Sequence, residues 1–189
     1  KLKKRNPSCS LTSDYDFNYL CYDKLQLKKF LYKYKIKTTY FEKKFPLIAK
    51  NRFGSSSKDI KILNNKREYN KFIKNNKNKK NYIIEKYIKG KEFSVDSYVT
   101  KKKENLGIVI RERVKVLKGE SIIMQTIKDK KLNKLAIKII KILNLTGPIN
   151  LQFIFNKEYY LMEINPRFPG GTLATIKSGL NIPSIMIRE

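Results

Sequence analysis

The second half of the chain is a run of β-prone segments broken by a single strongly amphipathic helix. Phe93–Val99, Leu106–Val116 and Ser121–Ile127 read as strands, and Gly119 turns the chain between the last two. Leu132–Leu143 carries apolar residues at 132, 135, 136, 139, 140 and 143, which is the spacing of one helix face. Ile149–Phe155 and Tyr159–Ile164 then form a hairpin across Asn156, Lys157 and Glu158. This order lacks regular βαβα alternation, so a doubly wound parallel sheet is not expected and an α+β fold with antiparallel sheets is.

The first half is more mixed. Asp23–Tyr34 gathers Leu25, Leu27, Phe30 and Leu31 on one side and reads as a helix. Lys37–Phe41 is β-prone, and a short apolar run follows Pro46. Asn51–Lys58 is a loop holding Gly54 and three serines, Asp59–Leu63 a strand, and Asn65–Asn76 a polar helix. Tyr82–Ile88 is an apolar stretch carrying Glu85 and Lys86, and Gly170-Gly171 opens a last helix over Leu173–Ser178. There is no internal repeat and no Pro- or Gly-rich linker. The expectation is two α+β lobes meeting near Ile88–Glu92.

Composition narrows the chemistry. The 189 residues contain no histidine, which removes a Ser-His-Asp triad, a histidine base and a His-ligated metal. Cys9 and Cys21 are too few for a disulfide framework or a closed zinc site, and read as reduced thiols of a cytoplasmic protein. No apolar run reaches the length of a membrane span, and no apolar segment follows the basic start as in a signal peptide. The net charge of +27 raises nucleic-acid binding as an option. However, only seven of the 43 basic residues are arginine, and Lys, Asn and Ile make up about two-fifths of the chain. Those three have A/T-rich codons, so the charge is read first as a solvated lysine surface, and nucleic acid is disfavoured as a partner.

Four constellations carry candidate chemistry. Lys50 precedes the loop Gly54-Ser55-Ser56-Ser57, an order that can place an ammonium and backbone N–H groups around phosphate oxygens. Taken alone, it is also what a surface turn after an edge strand looks like. Glu85-Lys86-Tyr87-Ile88 leads across Gly90 to Glu92, a pair of carboxylates flanking apolar backbone that could hold a ribose and an adenine edge, or an ordinary strand–turn–strand. Gln152 lies five residues before the hairpin centre at Lys157 and Glu163 six after, so the two are near cross-strand neighbours, and Asn165 shares the face of Glu163. Three oxygen donors on one spot, followed by Arg167, suit Mg²⁺ bound jointly with substrate phosphates. Arg111 and Arg113 share a strand face with Lys115 and could clamp a phosphoryl group, or form a solvent-facing basic stripe.

In this order the four pieces resemble the ATP-grasp superfamily, in particular the ATP-binding part of the carbamoyl-phosphate synthase large chain and related carboxylate–amine ligases. The most specific piece is Gly147-Pro-Ile-Asn-Leu-Gln152 through Glu163-Ile-Asn165-Pro-Arg167, and Glu85–Glu92 also resembles the hinge of D-alanine–D-alanine ligases. The resemblance implies two α+β lobes whose antiparallel sheets clasp ATP, with residues 25–88 as the small lobe and 89–189 as a C-terminally truncated large lobe. Residues 1–24 would be the remnant of a preceding substrate domain. It implies Lys50 on the α- and β-phosphates, Gly54–Ser57 over the β- and γ-phosphates, backbone of Glu85, Lys86, Tyr87 and Ile88 on adenine, and Glu92 on the ribose. Gln152, Glu163 and Asn165 would hold Mg²⁺, with Mn²⁺ as a substitute, and Arg167 with Arg111 or Arg113 would stabilise the transferring phosphoryl group. The implied reaction converts a small carboxylate to an acyl-phosphate that an amine or similar nucleophile displaces. A homodimer or a partner subunit is compatible with it.

Overall fold

A computed structural model describes residues 13–39, 44–53, 60–76, 78–117 and 119–189. Two antiparallel sheets organise them. The first has the strand order β2-β1-β3, from β1 (Leu47–Asn51), β2 (Lys61–Leu63) and β3 (Tyr82–Lys86). The second has the order β6-β5-β4-β7-β8, from β4 (Lys91–Val99), β5 (Asn105–Leu117), β6 (Glu120–Ile127), β7 (Gly147–Asn156) and β8 (Glu158–Asn165). The chain passes from one sheet to the other over residues 87–90. Gly90 sits so close to β7 that an added Cβ would lie 2.2 Å from the Phe155 carbonyl oxygen, so no larger residue fits there without moving the strand.

Five of the six described α-helices start at a side-chain cap. Helix α1 (Tyr15–Tyr22) and helix α2 (Lys24–Lys33) meet at Asp23, whose carboxylate accepts from the N–H groups of Leu25 and Gln26 and caps α2. Helix α3 (Lys66–Asn75) is capped by Asn65, whose Oδ1 accepts from Glu68 N, while the Glu68 carboxylate reaches back to Asn64 N. Helix α4 (Lys130–Ile142) is capped by Asp129 and buries Leu132, Ala136, Ile139 and Ile140. That stripe packs on one face of the large sheet, against Phe93, Val95, Ile149, Leu151, Phe153 and Leu161. A smaller core joins Leu47, Ala49 and Leu63 to Phe72 of α3. Helices α5 (Thr172–Lys177) and α6 (Ile182–Arg188) close the chain, with Ile182 buried against Tyr98 and Val109. No helix among the described residues is long and apolar enough to cross a membrane.

Three sequence expectations need correction. Lys37–Thr39 is not a strand: it runs beside β8, tied by a bond from Leu161 N to the Lys37 carbonyl. Residues 40 and 41, which complete that expected strand, lie outside the described residues. A 25–88 lobe would also assign α2 to the small sheet, yet its buried Leu27 and Leu31 belong to the core of the large one. Finally, the alternation read through Lys115 holds only to Arg113, because the pairing of β5 with β6 shifts register between Arg113 and Lys115. Helices α1 and α6 were not anticipated.

Candidate nucleotide and metal site

Strand alternation gives the large sheet two chemically different faces. One carries the apolar core. The other presents Glu92, Ser94 and Asp96 from β4, Arg111 and Arg113 from β5, Asn150 and Gln152 from β7, and Glu163 and Asn165 from β8. A cleft of about 920 Å³ separates part of this polar face from the small sheet. Lys50 and Ile48 of β1 line it, as do the crossing residues Lys86, Tyr87, Ile88 and Gly90. From the large sheet come Glu92, Arg113, Gln152, Glu163, Asn165 and Arg167. Ile48 and Ile88 are each more than nine-tenths buried and, with Met162 and Ile164, give one part of the cleft apolar walls suited to a planar ring.

Of the residues singled out from sequence, ten therefore share this cleft. Gly54, Ser55, Ser56 and Ser57 lie outside the described residues. Glu85 lies beside the cleft rather than lining it: its carboxylate is 2% exposed and engaged with lysines and a threonine.

The oxygen donors meet through an irregularity. Gln152 pairs directly with Glu163, and Asn150 with Asn165, but Phe153 pairs with Leu161. Met162 is thus an extra residue, a bulge beside the site. It absorbs the one-residue difference between the five positions before the turn and the six after it. Asn150, 4% exposed, orients the group: its Oδ1 accepts from Gln152 Nε2 and Asn165 Nδ2, both at 3.3 Å, which turns the two amide oxygens away from Asn150. Among the described residues no three His, Cys, Asp or Glu side chains cluster as a self-sufficient metal centre. One carboxylate with two amide oxygens is the donor set of a hard dication that takes its remaining ligands from phosphate and water, so these residues fit Mg²⁺.

At the inner end of the cleft, Glu85 accepts from Lys50 Nζ at 2.7 Å and from Thr39 Oγ1 at 2.7 Å, and Lys28 Nζ stands 3.4 Å away. Burial alone would raise the Glu85 carboxyl, but the ammonium charges of Lys28 and Lys50 outweigh it and hold the group at about 2, against an ordinary 4.5. Burial pulls Lys28 downward, whereas the attraction of Glu85 overcomes burial at Lys50 and moves it upward. A carboxylate depressed on folding stabilises the fold above its unfolded value. That contribution, about 3 kcal/mol, drains as the pH falls from about 4.5 towards 2. Acid titration followed by circular dichroism should therefore show stability falling in that window, and Glu85→Gln should flatten the fall.

The structure separates the two strand arginines. Arg113 lines the cleft: NH1 donates to Glu92 at 3.0 Å and to Gln152 at 3.3 Å, and NH2 to the Gly119 carbonyl at 2.6 Å. Arg111 does not line it. Its guanidinium, 2% exposed, binds Asp96 beneath α5, which corrects the expectation that it could clamp a phosphoryl group. Arg167 is exposed just beyond β8, with NH1 on the Phe168 carbonyl. Several contributors escaped the sequence reading. Lys24, at the start of α2, lines the cleft. Asn150 was detectable by period two from Gln152, and Asp96 by its alternation with Glu92. Lys28 gave no such signal.

A family model described as ATP-grasp in the biosynthetic pathway with Ter operon matches residues 78–189. No curated protein sequence matches. In structure the chain is similar to the biotin carboxylase–β,γ-ATP complex from Campylobacter jejuni, with a TM-score of 0.81 at 15% identity over 99% of this chain and 50% of that one. The biotin carboxylase domain of 2-oxoglutarate carboxylase from Hydrogenobacter thermophilus, in complex with MgADP, ADP and bicarbonate, gives 0.82 at 15% identity, covering 99% and 49%. D-alanine–D-alanine ligase from Bacillus anthracis gives 0.65 at 23% identity, covering 89% and 67%. At such identities the likeness is one of fold, and the chain spans about half the length of the two biotin carboxylases.

Proposed function

Because the chain belongs to the ATP-grasp family associated with the biosynthetic pathway of the Ter operon, we propose that its cleft binds Mg-ATP and that it serves a ligase activating a carboxylate as an acyl-phosphate. The observation that supports this best is the meeting, across one cleft, of a buried-rooted lysine, a ribose-range carboxylate and three metal-range oxygens. The apolar walls at Ile48 and Ile88 take the adenine, with the backbone of Lys86–Ile88 at its polar edge. Glu92, already held by Arg113, accepts the ribose hydroxyls. Lys50 and Lys24 meet the phosphates.

Gln152, Glu163 and Asn165 would hold Mg²⁺, which would supply charge neutralisation to the nucleotide phosphates. Arg167 stands at the exposed end of that row, where it can meet the γ-phosphoryl group as it passes to the carboxylate; Arg113 acts on the ribose side. Attack by the carboxylate oxygen on the γ-phosphorus releases ADP, and an amine or similar nucleophile then expels phosphate from the acyl carbon. The chain's contribution is position and charge, which needs no proton-shuttling histidine. A carbamoyl-phosphate-synthase-like chemistry is the form we favour, from the resemblance carried by Gly147–Gln152 and Glu163–Arg167.

The test is calorimetric titration of a non-hydrolysable ATP analogue with and without Mg²⁺ near physiological salt, where surface lysines are screened. Saturable one-to-one binding that requires Mg²⁺ is expected. No binding by a folded sample overturns the reading.

A further inference from the structure

Two ammonium groups share the one buried carboxylate of Glu85, and only one of them is needed to neutralise it. Lys50 reaches it from β1 and also lines the cleft. Lys28 reaches it from α2 and does not line the cleft. Its side chain is 3% exposed, and its ammonium donates to Thr38 Oγ1 at 2.8 Å, to Thr39 Oγ1 at 3.0 Å and to the Leu161 carbonyl at 3.4 Å. Thr39 in turn donates to Glu85, and Thr38 to Leu161. Lys28 is therefore fixed by α2, the 37–39 segment and β8 together, whereas Lys50 is fixed chiefly by Glu85.

A lysine that must meet phosphate cannot also stay at 2.7 Å from a carboxylate. Pulling it away from a buried, otherwise unpaired anion would be costly. From this arrangement we infer that Lys28 is a positioning residue: it keeps Glu85 paired when Lys50 turns to the nucleotide phosphates, so that Lys50 is held ready and not locked. This rests on the reading of the cleft as an ATP site. The buried cluster carries one net positive charge before ligand arrives, and it returns to a neutral Lys28–Glu85 pair when Lys50 leaves.

Four proteins decide it: the wild type, Lys28→Met, Glu85→Gln and the double variant, each titrated with the ATP analogue and Mg²⁺. Without Lys28, Lys50 should remain on Glu85, and affinity should fall by about 10- to 100-fold as the competent fraction shrinks. Removing the Glu85 charge in that background should restore most of the loss, a recovery that a merely structural role would not give. A double variant as weak as Lys28→Met or weaker overturns the inference. A wild type that binds no analogue would instead overturn the nucleotide reading itself. Lys50→Met offers an independent check should Lys28→Met fail to fold. With Lys28 still neutralising Glu85, its melting temperature should stay within a few degrees of the wild type, and a large fall would count against the inference.

Discussion

Replacing Glu163 by alanine should remove the Mg²⁺-dependent part of nucleotide binding, a loss on the order of 100-fold or more. Glu163 is the one carboxylate among the three oxygen donors, and it stands directly opposite Gln152. The other two donors are neutral amides, and Gln152 Oε1 also accepts from Arg113. Amide oxygens alone do not balance a dication that gives up hydration waters to enter the cleft. Glu163→Gln keeps the shape and discards the charge, so it should lose nearly as much as alanine. Glu163 is only half-buried at the cleft wall, so both variants should melt near the wild type. Calorimetry with and without Mg²⁺ reads the effect, and unchanged Mg²⁺-dependent binding in either variant would sink the metal assignment.

The row containing Glu163 was legible because β alternation is a local rule. Period two places Glu163 and Asn165 on one face, and a three-residue turn brings Gln152 opposite them. The bulge at Met162 leaves this intact because it supplies the one residue by which the two arms differ. Helices α2 and α4 were legible for the same kind of reason, an apolar stripe at helical spacing, whereas α3 read as a polar helix. What could not be read is what depends on residues far apart in sequence. Lys28 looks like any of the 36 lysines until α2 is laid beside β3 and β8, where it becomes a buried cation. Arg111 and Arg113 obey one alternation and share one face. The packing of α5 over one end of that face buries the first, while the cleft keeps the second. Local pattern thus fixes which face a side chain takes, and tertiary packing decides whether that face meets ligand or protein.

Arg111 leads to the largest stability effect expected in this chain, at its partner Asp96. That carboxylate is fully buried. Its Oδ2 accepts from Arg111 Nε at 2.8 Å, from Arg111 NH2 at 2.7 Å and from Thr175 Oγ1 at 2.5 Å, and its Oδ1 accepts from Asn150 Nδ2 at 2.7 Å. Asp96→Ala would strand a guanidinium beneath α5, where it has no room to reach solvent: an added Cβ on Gly171 would lie only 2.0 Å from Arg111 NH1. Breaking a buried pair in this way costs about 3–5 kcal/mol, which lowers the melting temperature of a domain of this size by about 10 °C. Removing both charges with apolar residues of similar volume, Asp96→Leu with Arg111→Met, should recover most of that stability, because the desolvation penalty of both ions disappears. Nucleotide binding should not recover with it. Asn150 would still lack the acceptor that fixes its amide, and Asn150 orients Gln152 and Asn165. Melting curves and Mg²⁺-dependent titrations of the single and double variants therefore separate two jobs of one carboxylate. A double variant that regained affinity along with stability would mean that Asp96 holds the fold without orienting the metal-range amides.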